Sequence, residues 1–304
     1  MNGPTFAHLS DLHLPFEPGL TWRQRLSKRQ LSAWSWRRRQ HLHQGGILEA
    51  LVADLRAHAV DHVVVTGDLT NFSLPGEFAQ AARWLEALRP AEETSIVPGN
   101  HDALVPVAEG EGLALWQRWT RADDGWPFVH RLGEVSLIGL NSALPTAPLL
   151  ARGRLGAPQL ERLERLLVDE GAAGRTRIVA LHHPPAEGAV NRRKALADRA
   201  ALRAVLRRAG AELVLHGHAR DARLDALPGP REPIPCLCVP SSSALPNPMD
   251  QGARWHRLRF VDGAPAGDRR AEVEVRRWSV EAGAFVSSAR YALLLPRGRG
   301  PRSG

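Results

Sequence analysis

The sequence predicts an α/β fold because short runs of β-branched and aliphatic residues alternate with longer stretches whose apolar residues recur at helical spacing. Composition supports a packed globular protein, since 43% of the 304 residues are hydrophobic and 24% are charged, as in an average soluble protein. A chain of this length fits one large domain or two small ones, and it buries roughly 75% of the surface that its unfolded form exposes. We interpret residues 1–295 as one domain.

Six strands are predicted in the first part of the chain, and each ends at polar or glycine residues. They occupy residues 5–9, 62–66, 94–97, 135–140, 177–181 and 213–215. Four helices are predicted between them, at residues 46–58, 76–88, 157–170 and 195–209. Leu160, Leu163 and Leu167 show the helical spacing in the third of these segments. Strand and helix in alternation indicate an α/β sheet system.

After about residue 233 the pattern changes to strand-like runs with no helix between them. These runs, at residues 236–239, 255–260, 272–278 and 291–295, are separated by turns rich in Pro, Gly and Asp, so we predict antiparallel strands that complete the sheet system. Cys236 and Cys238 are two residues apart and share a face of the first run, which favours packing over a disulfide. Residues 296–304 are rich in Pro, Gly and Arg and are predicted to be a disordered tail.

Residues that can bind a metal follow five of the predicted strands. The motifs are Asp11-Leu12-His13, Gly67-Asp68, Gly99-Asn100-His101-Asp102, His182-His183 and His216-Gly217-His218. Because ligands of an open α/β sheet bind beyond the carboxyl ends of its strands, we expect these side chains to meet. An extended chain puts Asp11 and His13 on the same face, so both can reach one ion. The pattern predicts a cation site built from loops on a rigid sheet.

In this order the motifs resemble those of the calcineurin-like metallophosphoesterase superfamily, over residues 5 to about 220. The resemblance implies a four-layer fold, in which two mixed β-sheets are flanked by helices. It also implies two bound divalent metal ions, Mn, Fe, Zn or Mg, of which Mn is favoured. The residues that it assigns to them are Asp11 and His13 for the first ion, Asp68 for the bridge between the ions, and Asn100, His182 and His218 for the second ion.

The resemblance further implies an enzyme that hydrolyses a phosphodiester or pyrophosphate bond. A hydroxide that bridges the two ions would attack the phosphorus atom. His101 would donate a proton to the leaving alkoxide, and Asp102 would hold the ring of His101 in the useful orientation. The segment 153–156, Gly-Arg-Leu-Gly, followed by Gln159 and Leu160, is similar to the corresponding segment of bacterial class III cyclic nucleotide phosphodiesterases.

The last motif departs from the family pattern, because Arg220 stands where the family has the final histidine ligand of the first ion. A guanidinium group stays protonated in proteins and has no lone pair for a metal. Asp221 could replace the histidine and favour a harder ion, or Arg220 could contact the substrate phosphate while water completes the first ion's shell. In a third interpretation the first ion is weak or absent, and the protein binds phosphate ligands on a decayed phosphoesterase scaffold.

A basic, tryptophan-bearing insert spans residues 18–44, between the first motif and the next helix. It contains Arg23, Arg25, Lys28, Arg29, Arg37, Arg38 and Arg39 without an acidic residue from Thr21 to His43. One interpretation is a helical lid that packs its Trp and Leu side chains on the body. Another is a contact with an anionic membrane, since position and composition are similar to the lid of the UDP-diacylglucosamine hydrolases, which act on a lipid-linked nucleotide. Nucleic acid is a third candidate, but no nucleic-acid-binding motif is visible.

The first residues of the chain and its apolar stretches bear on the location of the protein in the cell. The first ten residues lack the features of a signal peptide. No apolar stretch approaches the ~18 residues that span a bilayer. We therefore expect a cytoplasmic protein, with peripheral contact at the inner membrane surface as an option. The expected partner is a phosphoester substrate, either a nucleotide or a nucleotide-linked lipid.

Overall fold

The structure is a computed structural model that describes residues 2–17, 19–39, 43, 45–108, 110–122, 124–247, 250–262 and 269–295. Its strands are β1 (Asn2–Leu9), β2 (His62–Val65), β3 (Thr94–Ile96), β4 (Phe128–Leu132), β5 (Val135–Gly139), β6 (Thr176–Ala180), β7 (Leu213–His216), β8 (Arg223–Leu227), β9 (Ile234–Cys238), β10 (Arg254–Asp262), β11 (Arg269–Ser279) and β12 (Ala284–Leu295). Its α-helices are α1 (Trp22–Arg25), α2 (Lys28–Arg39), α3 (Gly45–Ala57), α4 (Pro75–Leu88), α5 (Gln117–Thr120), α6 (Ala157–Ala172) and α7 (Arg199–Ala209).

The strands form two mixed sheets of six strands each. The first has the order β12-β11-β10-β1-β2-β3, with β1 to β3 parallel and β10 to β12 antiparallel. The second has the order β4-β5-β6-β7-β9-β8, with four parallel strands in the middle and an antiparallel strand at each edge. Since parallel strands end at the same edge of a sheet, the loops after β1, β2 and β3 are neighbours, as are those after β6 and β7.

Alternation along the strands sorts the core into layers. On β2, Val63 and Val65 pack with apolar residues of α3 and α4, whereas Val64 belongs to the core between the two sheets. On β7, Leu215 faces that shared core and Val214 packs with α6 and α7. The layers are therefore helices, sheet, sheet, helices, which confirms the predicted four-layer fold.

The structure contains every predicted strand and helix, but two edge strands were not predicted. β4 and β8 have mixed polar sequences, and on β8 the side chains of Arg223 and Asp225 pair with each other and are only partly buried. Such strands lack the apolar run that marks a buried strand. The antiparallel arrangement predicted after residue 233 holds for β10 to β12 and is wrong for β9. That strand pairs antiparallel with β8 and parallel with β7, because the β8–β9 hairpin folds back against β7.

The insert packs on the body of the protein through α2. Trp36 and Ala33 are buried against Phe72 and Leu74 of the loop that follows β2. Arg29 of the same helix donates hydrogen bonds to the carbonyl oxygens of that loop. In the described part of the insert Trp36 thus packs on the body, as expected of a helical lid, whereas Trp22, Leu26, Leu31 and Trp34 are exposed.

Three further expectations concern the cysteines, the C-terminal tail and membrane spans. Cys236 and Cys238 are buried free thiols. Residues 296–304, the predicted disordered tail, lie outside the described residues. Within the described ranges, no helix combines the length and the apolar character that crossing a bilayer requires.

Candidate metal centre

The motif residues sit in strained loops at the carboxyl ends of the strands. Asp11, His13, Asp68, His218 and Arg220 all have φ between 42° and 66°, a left-handed conformation that side-chain-bearing residues seldom adopt. The first loop is held in this conformation by the second, since the N–H groups of residues 11 and 13 donate to the carbonyl oxygens of residues 67 and 68 at 2.9 Å. Such strain persists only where the surroundings impose it, and it is typical of functional sites.

Two glycines let the loops approach each other closely. Gly67 has φ +93°, and a Cβ atom built on it would lie 2.8 Å from Nδ1 of His182. A Cβ atom on Gly99 would lie 2.2 Å from Oδ1 of Asp68. Both distances are shorter than a side chain tolerates, so both positions require glycine for packing, and Gly67 also requires it for its left-handed φ.

Hydrogen bonds fix the tautomers of the two histidines assigned to the second ion. Nδ1 of His182 donates to the carbonyl oxygen of Thr66 at 2.6 Å. Nε2 of His218 donates to the carbonyl oxygen of Lys194 at 3.1 Å. When the rings are neutral, lone pairs remain on Nε2 of His182 and Nδ1 of His218, and these two atoms are 3.0 Å apart.

Two oxygen atoms complete this group of electron-pair donors. Nε2 of His182 lies 3.3 Å from Oδ1 of Asn100 and 3.4 Å from Oδ2 of Asp68. Burial lowers the pKa of His182, but the carboxylates of Asp68 and Asp11 raise it to about 9, so the site attracts positive charge. Four electron-rich atoms that face one another in a buried site are the donor set of a divalent cation, and the residues assigned to the second ion therefore fit it.

A second group of donors surrounds His13. Donor atoms of His13, Asp68 and His101 lie within 4.8 Å of one another, so Asp68 belongs to both groups, as expected of a bridging ligand. Nδ1 of His13 donates to the carbonyl oxygen of Thr70, which leaves the lone pair on Nε2. Asp11 is buried next to this group, and burial raises the pKa of its carboxyl. His13 therefore lies in a donor group that fits a cation, whereas Asp11 lies outside that group, and its Oδ2 accepts hydrogen bonds from the hydroxyl of Ser10 and the N–H of His218.

Hydrogen bonds from its backbone N–H and from its ring hold His101 in place. Its N–H donates to Oδ1 of Asp68 at 2.7 Å, and its Nδ1 donates to the carbonyl oxygen of Asn71 at 3.0 Å. The ring packs edge-on against His13, with centroids 4.8 Å apart. The side chain is partly exposed, so it can reach both the metal ligands and a substrate.

The carboxylate of Asp102 binds the loop backbone rather than the ring of His101, contrary to the role expected from the sequence. It accepts hydrogen bonds from the N–H groups of residues 68, 69, 70 and 99 at 2.8–3.1 Å, and from the hydroxyl of Thr70. Burial and the nearby charge of Asp68 raise the pKa of Asp102 to about 7. Asp102 therefore positions the backbone of Asp68, while Asn71 orients the ring of His101.

The two residues proposed to compensate for the missing histidine differ in burial. Arg220 is partly buried near His13, whereas Asp221 is exposed. The buried carboxyl group beside Arg220 belongs to Asp250, whose pKa is raised to about 7 by burial. Asp250 belongs to none of the motifs, so its place in the site could not be predicted from the sequence.

Several residues that the sequence did not single out position the ligands. Glu77 accepts hydrogen bonds from the N–H groups of Asn71 and Phe72, and thereby shapes the loop that holds His101. Its place in the first turn of α4 was a signal for such a capping role. Ser241 donates to the carbonyl oxygen of Asp11 from 230 positions along the chain. No local pattern could have indicated that contact.

Comparisons with known proteins identify the fold and the family of this chain. A crystal structure of a dimetal phosphatase from Danio rerio superposes with a TM-score of 0.60 at 14% identity, over 98% of this chain and 100% of that one, which shows a shared fold. A double mutant of Vps29 from Entamoeba histolytica superposes with a TM-score of 0.41 at 11% identity, over 96% and 99% of the two chains. A search of curated protein sequences found no significant match. The sequence profile of the calcineurin-like phosphoesterases matches residues 4–219, so the chain belongs to the calcineurin-like phosphoesterase family.

Proposed function

We propose that this member of a metal-dependent phosphoesterase family hydrolyses a phosphodiester or pyrophosphate bond at a two-metal site. The observation that carries the proposal is the convergence of lone pairs on Nε2 of His182 and Nδ1 of His218 with oxygens of Asp68 and Asn100. Asp68 also belongs to the group around His13, so two cations would lie side by side. Two divalent ions bound there would lower the pKa of a water molecule and neutralise charge on the phosphoryl oxygens.

The chain's own residues supply the proton and the positioning. Because Nδ1 of His101 donates to Asn71, Nε2 is the atom that can give a proton to a leaving oxygen when the ring is charged. Asp102 keeps the backbone of Asp68 in place through its hydrogen bonds to that loop. Asp102 thus acts as a positioning residue.

The donor atoms bear on the choice of metal. Asp11 and Asp68 offer carboxylate oxygens, Asn100 an amide oxygen, and the histidines imidazole nitrogens. Imidazole nitrogens suit Fe and Zn²⁺, whereas carboxylate and amide oxygens suit Mn²⁺ and Mg²⁺, so this mixed donor set fits several of the expected ions. We propose Mn²⁺ as the first ion to test.

Basic residues on one side of the centre suit an anionic substrate. Arg152, Arg192 and Arg193 are exposed on two loops that hydrogen bonds hold together, including one from Nε of Arg152 to the carbonyl oxygen of Arg192. The second loop also carries Lys194, whose carbonyl oxygen accepts from His218 of the metal centre. We propose that these side chains bind the distal charge of a nucleotide or a nucleotide-linked lipid.

The test is hydrolysis of bis(p-nitrophenyl) phosphate by the purified protein with Mn²⁺, together with a metal count on the same sample. We expect turnover that is abolished by a chelator and falls roughly 10²–10⁴-fold in His101→Ala. His58→Ala is the matched control, because this histidine binds the carbonyl oxygen of Asp54 in a different part of the fold. Turnover by His101→Ala at the wild-type rate would contradict the proposed proton donor.

A second candidate is a phosphate-ligand-binding protein without turnover. Arg220, which cannot bind a metal, is the observation that favours it. In that case we expect at most one ion per chain and no hydrolysis of either a diester or a nucleoside diphosphate ester. Binding of such a nucleotide, measured by calorimetry, would then identify the ligand class.

We also propose that the insert touches an anionic membrane. Among the described residues ten large hydrophobic side chains are exposed, and four of them lie in the insert: Trp22, Leu26, Leu31 and Trp34. Arg23 and Arg25 lie beside the first two of these in the chain, and tryptophan with arginine is typical of membrane interfaces. The test is co-sedimentation with vesicles that contain 30% phosphatidylglycerol. Binding that persists when Trp22 and Trp34 are both changed to Ala would argue against this contact.

A further inference from the structure

Arg220 lies at the edge of the metal centre, in a loop that neighbouring residues hold in place. Two positions before it, the N–H of His218 donates to Oδ2 of Asp11 at 3.0 Å. The carbonyl oxygen of Arg220 accepts from the N–H of Gln251 at 3.3 Å, and the side chain of Gln251 accepts from the N–H of Ala222 at 3.1 Å. Since Arg220 has φ 63°, these contacts keep it in a left-handed conformation that a side-chain-bearing residue seldom adopts.

The guanidinium group of Arg220 has charged neighbours but no partner among the residues that the structure describes. Within that part of the chain, no group accepts a hydrogen bond from it or forms an ion pair with it, although the side chain is partly buried. Burial is the largest cause of the lowered pKa of His13, and the positive charge of Arg220 adds to it. Burial raises the pKa of Asp250 to about 7, and the charge of Arg220 opposes this rise. The guanidinium group therefore acts on both the first-ion group and a buried carboxyl group.

A guanidinium group beside a divalent ion is unfavourable when nothing lies between them. Arginine stays protonated in proteins, so it cannot lose its charge, and like charges repel each other more strongly in a partly buried site than in bulk water. An anion between the two cations removes this repulsion, because both cations then attract it. The planar guanidinium group suits a phosphate in this place, since it can donate two parallel hydrogen bonds to phosphate oxygens. An arginine here therefore disfavours the ion alone and favours the ion together with a phosphate.

We propose that Arg220 binds a phosphoryl oxygen beside the first ion, so that this ion and a phosphate ligand bind cooperatively. The inference rests on the two-metal site of the proposed function. A histidine at this position would hold the ion with or without the ligand, whereas an arginine makes occupancy of the first site depend on the phosphate. The second ion, whose donors include the imidazoles of His182 and His218, should bind without phosphate. The ligand is a phosphate group with at least two non-bridging oxygens, as in the substrate or in a phosphate product.

The experiment measures metal binding and needs no turnover. Apo protein is titrated with Mn²⁺ by calorimetry, with and without millimolar inorganic phosphate, and bound metal is counted after gel filtration. In the wild type we expect phosphate to raise the affinity for one of the two ions roughly tenfold, a typical coupling between two binding sites. In Arg220→Gln this increase should disappear, and the ion should bind without phosphate at least as tightly as in the wild type, because the repulsion is gone. Arg207→Gln is the matched control: this exposed arginine of α7 gives the same change in net charge, and the increase should remain.

Two further measurements on the same samples sharpen the result. By linkage, Mn²⁺ must raise the affinity of the wild type for inorganic phosphate by the same factor. Dimethyl phosphate, a diester that resists hydrolysis, separates the two sources of the phosphate group. Cooperativity with both probes supports a contact with the phosphoryl group of the substrate, and cooperativity with inorganic phosphate alone supports a contact with a product.

Several outcomes would overturn the proposal. It is wrong if phosphate changes the Mn²⁺ affinities of the wild type and of Arg220→Gln equally, or if the wild type binds Mn²⁺ equally well with and without phosphate. Should Arg220→Gln fail to fold, Arg220→His decides instead: it should bind both ions without phosphate, and a response to phosphate as large as that of the wild type would refute the proposal. Cooperative binding without hydrolysis of any phosphoester would refute the proposed function and leave this inference standing. Hydrolysis with metal binding that is independent of phosphate would refute this inference alone.

Discussion

The two halves of the metal centre are built from different parts of the chain. The second group takes its ligands from loops that follow strands of the two sheets, and His182 and His218 are each locked by a backbone carbonyl oxygen. The first group lies where the strand-end loop of Asp11 and His13 meets the insert, with Trp36 and His43 against it. Both groups therefore rest on loops of the sheet system, and the first is in addition covered by a separate, locally packed segment.

The two halves are therefore expected to respond differently to changes in the sequence. Loops held by a central sheet share in the global stability of the fold, but a short helix packed on the surface can open locally at a smaller cost in free energy. A change in the insert is then expected to alter the first ion without disturbing the second. Substitutions in the two halves should then differ in the ion that they affect, and only Asp68 belongs to both donor groups.

Asp68→Asn should have the largest effect, because this carboxylate lies in both groups of donors. We expect the loss of both ions and a fall in diester hydrolysis of roughly 10³-fold or more. Metal counting and steady-state kinetics measure the two effects. Asp169→Asn, an exposed carboxylate on α6, is the control and should leave both unchanged. Retention of one tightly bound ion by Asp68→Asn would show that the two halves do not share this ligand.

Gly67→Ala should disturb the sheet-borne half next. The new methyl group would meet the N atom of Gly99 at 2.6 Å and Nδ1 of His182 at 2.8 Å, in addition to the left-handed φ. The comparison is Gly174→Ala, which has φ +73° but no atom within 4 Å of its Cβ position. We expect the free energy of unfolding to fall by about 1–2 kcal/mol in Gly174→Ala and by at least ~3 kcal/mol in Gly67→Ala. Equal losses in urea denaturation would mean that the loop relaxes around the methyl group.

Features set by the sheets could be predicted from the sequence, whereas contacts that depend on the paths of the loops and the insert could not. The convergence of Asp68, Asn100, His182 and the other motif residues could be predicted, because an α/β sheet brings the ends of its strands together for any conformation of the loops. The role of Asp102 could not be predicted. Whether its carboxylate binds the ring of His101 or the backbone of Asp68 depends on the path of a buried loop. Nor could the contact between His43 and Ser243 be predicted, since these residues are 200 positions apart and meet only in the folded chain.

Trp36→Ala should loosen the insert-dependent half. This side chain is 7% exposed and contacts both Phe72 and His43, so its removal leaves a cavity under α2. We expect affinity for the first ion to fall about tenfold, as for the loss of a group that holds a ligand in place, while the second ion binds as before. Trp34→Ala is the matched control, because its side chain is 56% exposed on the same helix. Loss of both ions in Trp36→Ala would show that the insert supports the whole centre.

Asp221→Ala should have the smallest effect and separates two accounts of the missing ligand. If Asp221 replaced the histidine, the variant would lose most of its affinity for the first ion. The side chain of Asp221 is exposed, however, so its carboxylate would have to lose its hydration in order to bind an ion. The ring of His43, by contrast, already packs against His13. We therefore expect Mn²⁺ affinity to change less than about twofold in Asp221→Ala, within the usual range for surface substitutions. A large loss of Mn²⁺ affinity in this variant would assign the missing ligand to the carboxylate of Asp221.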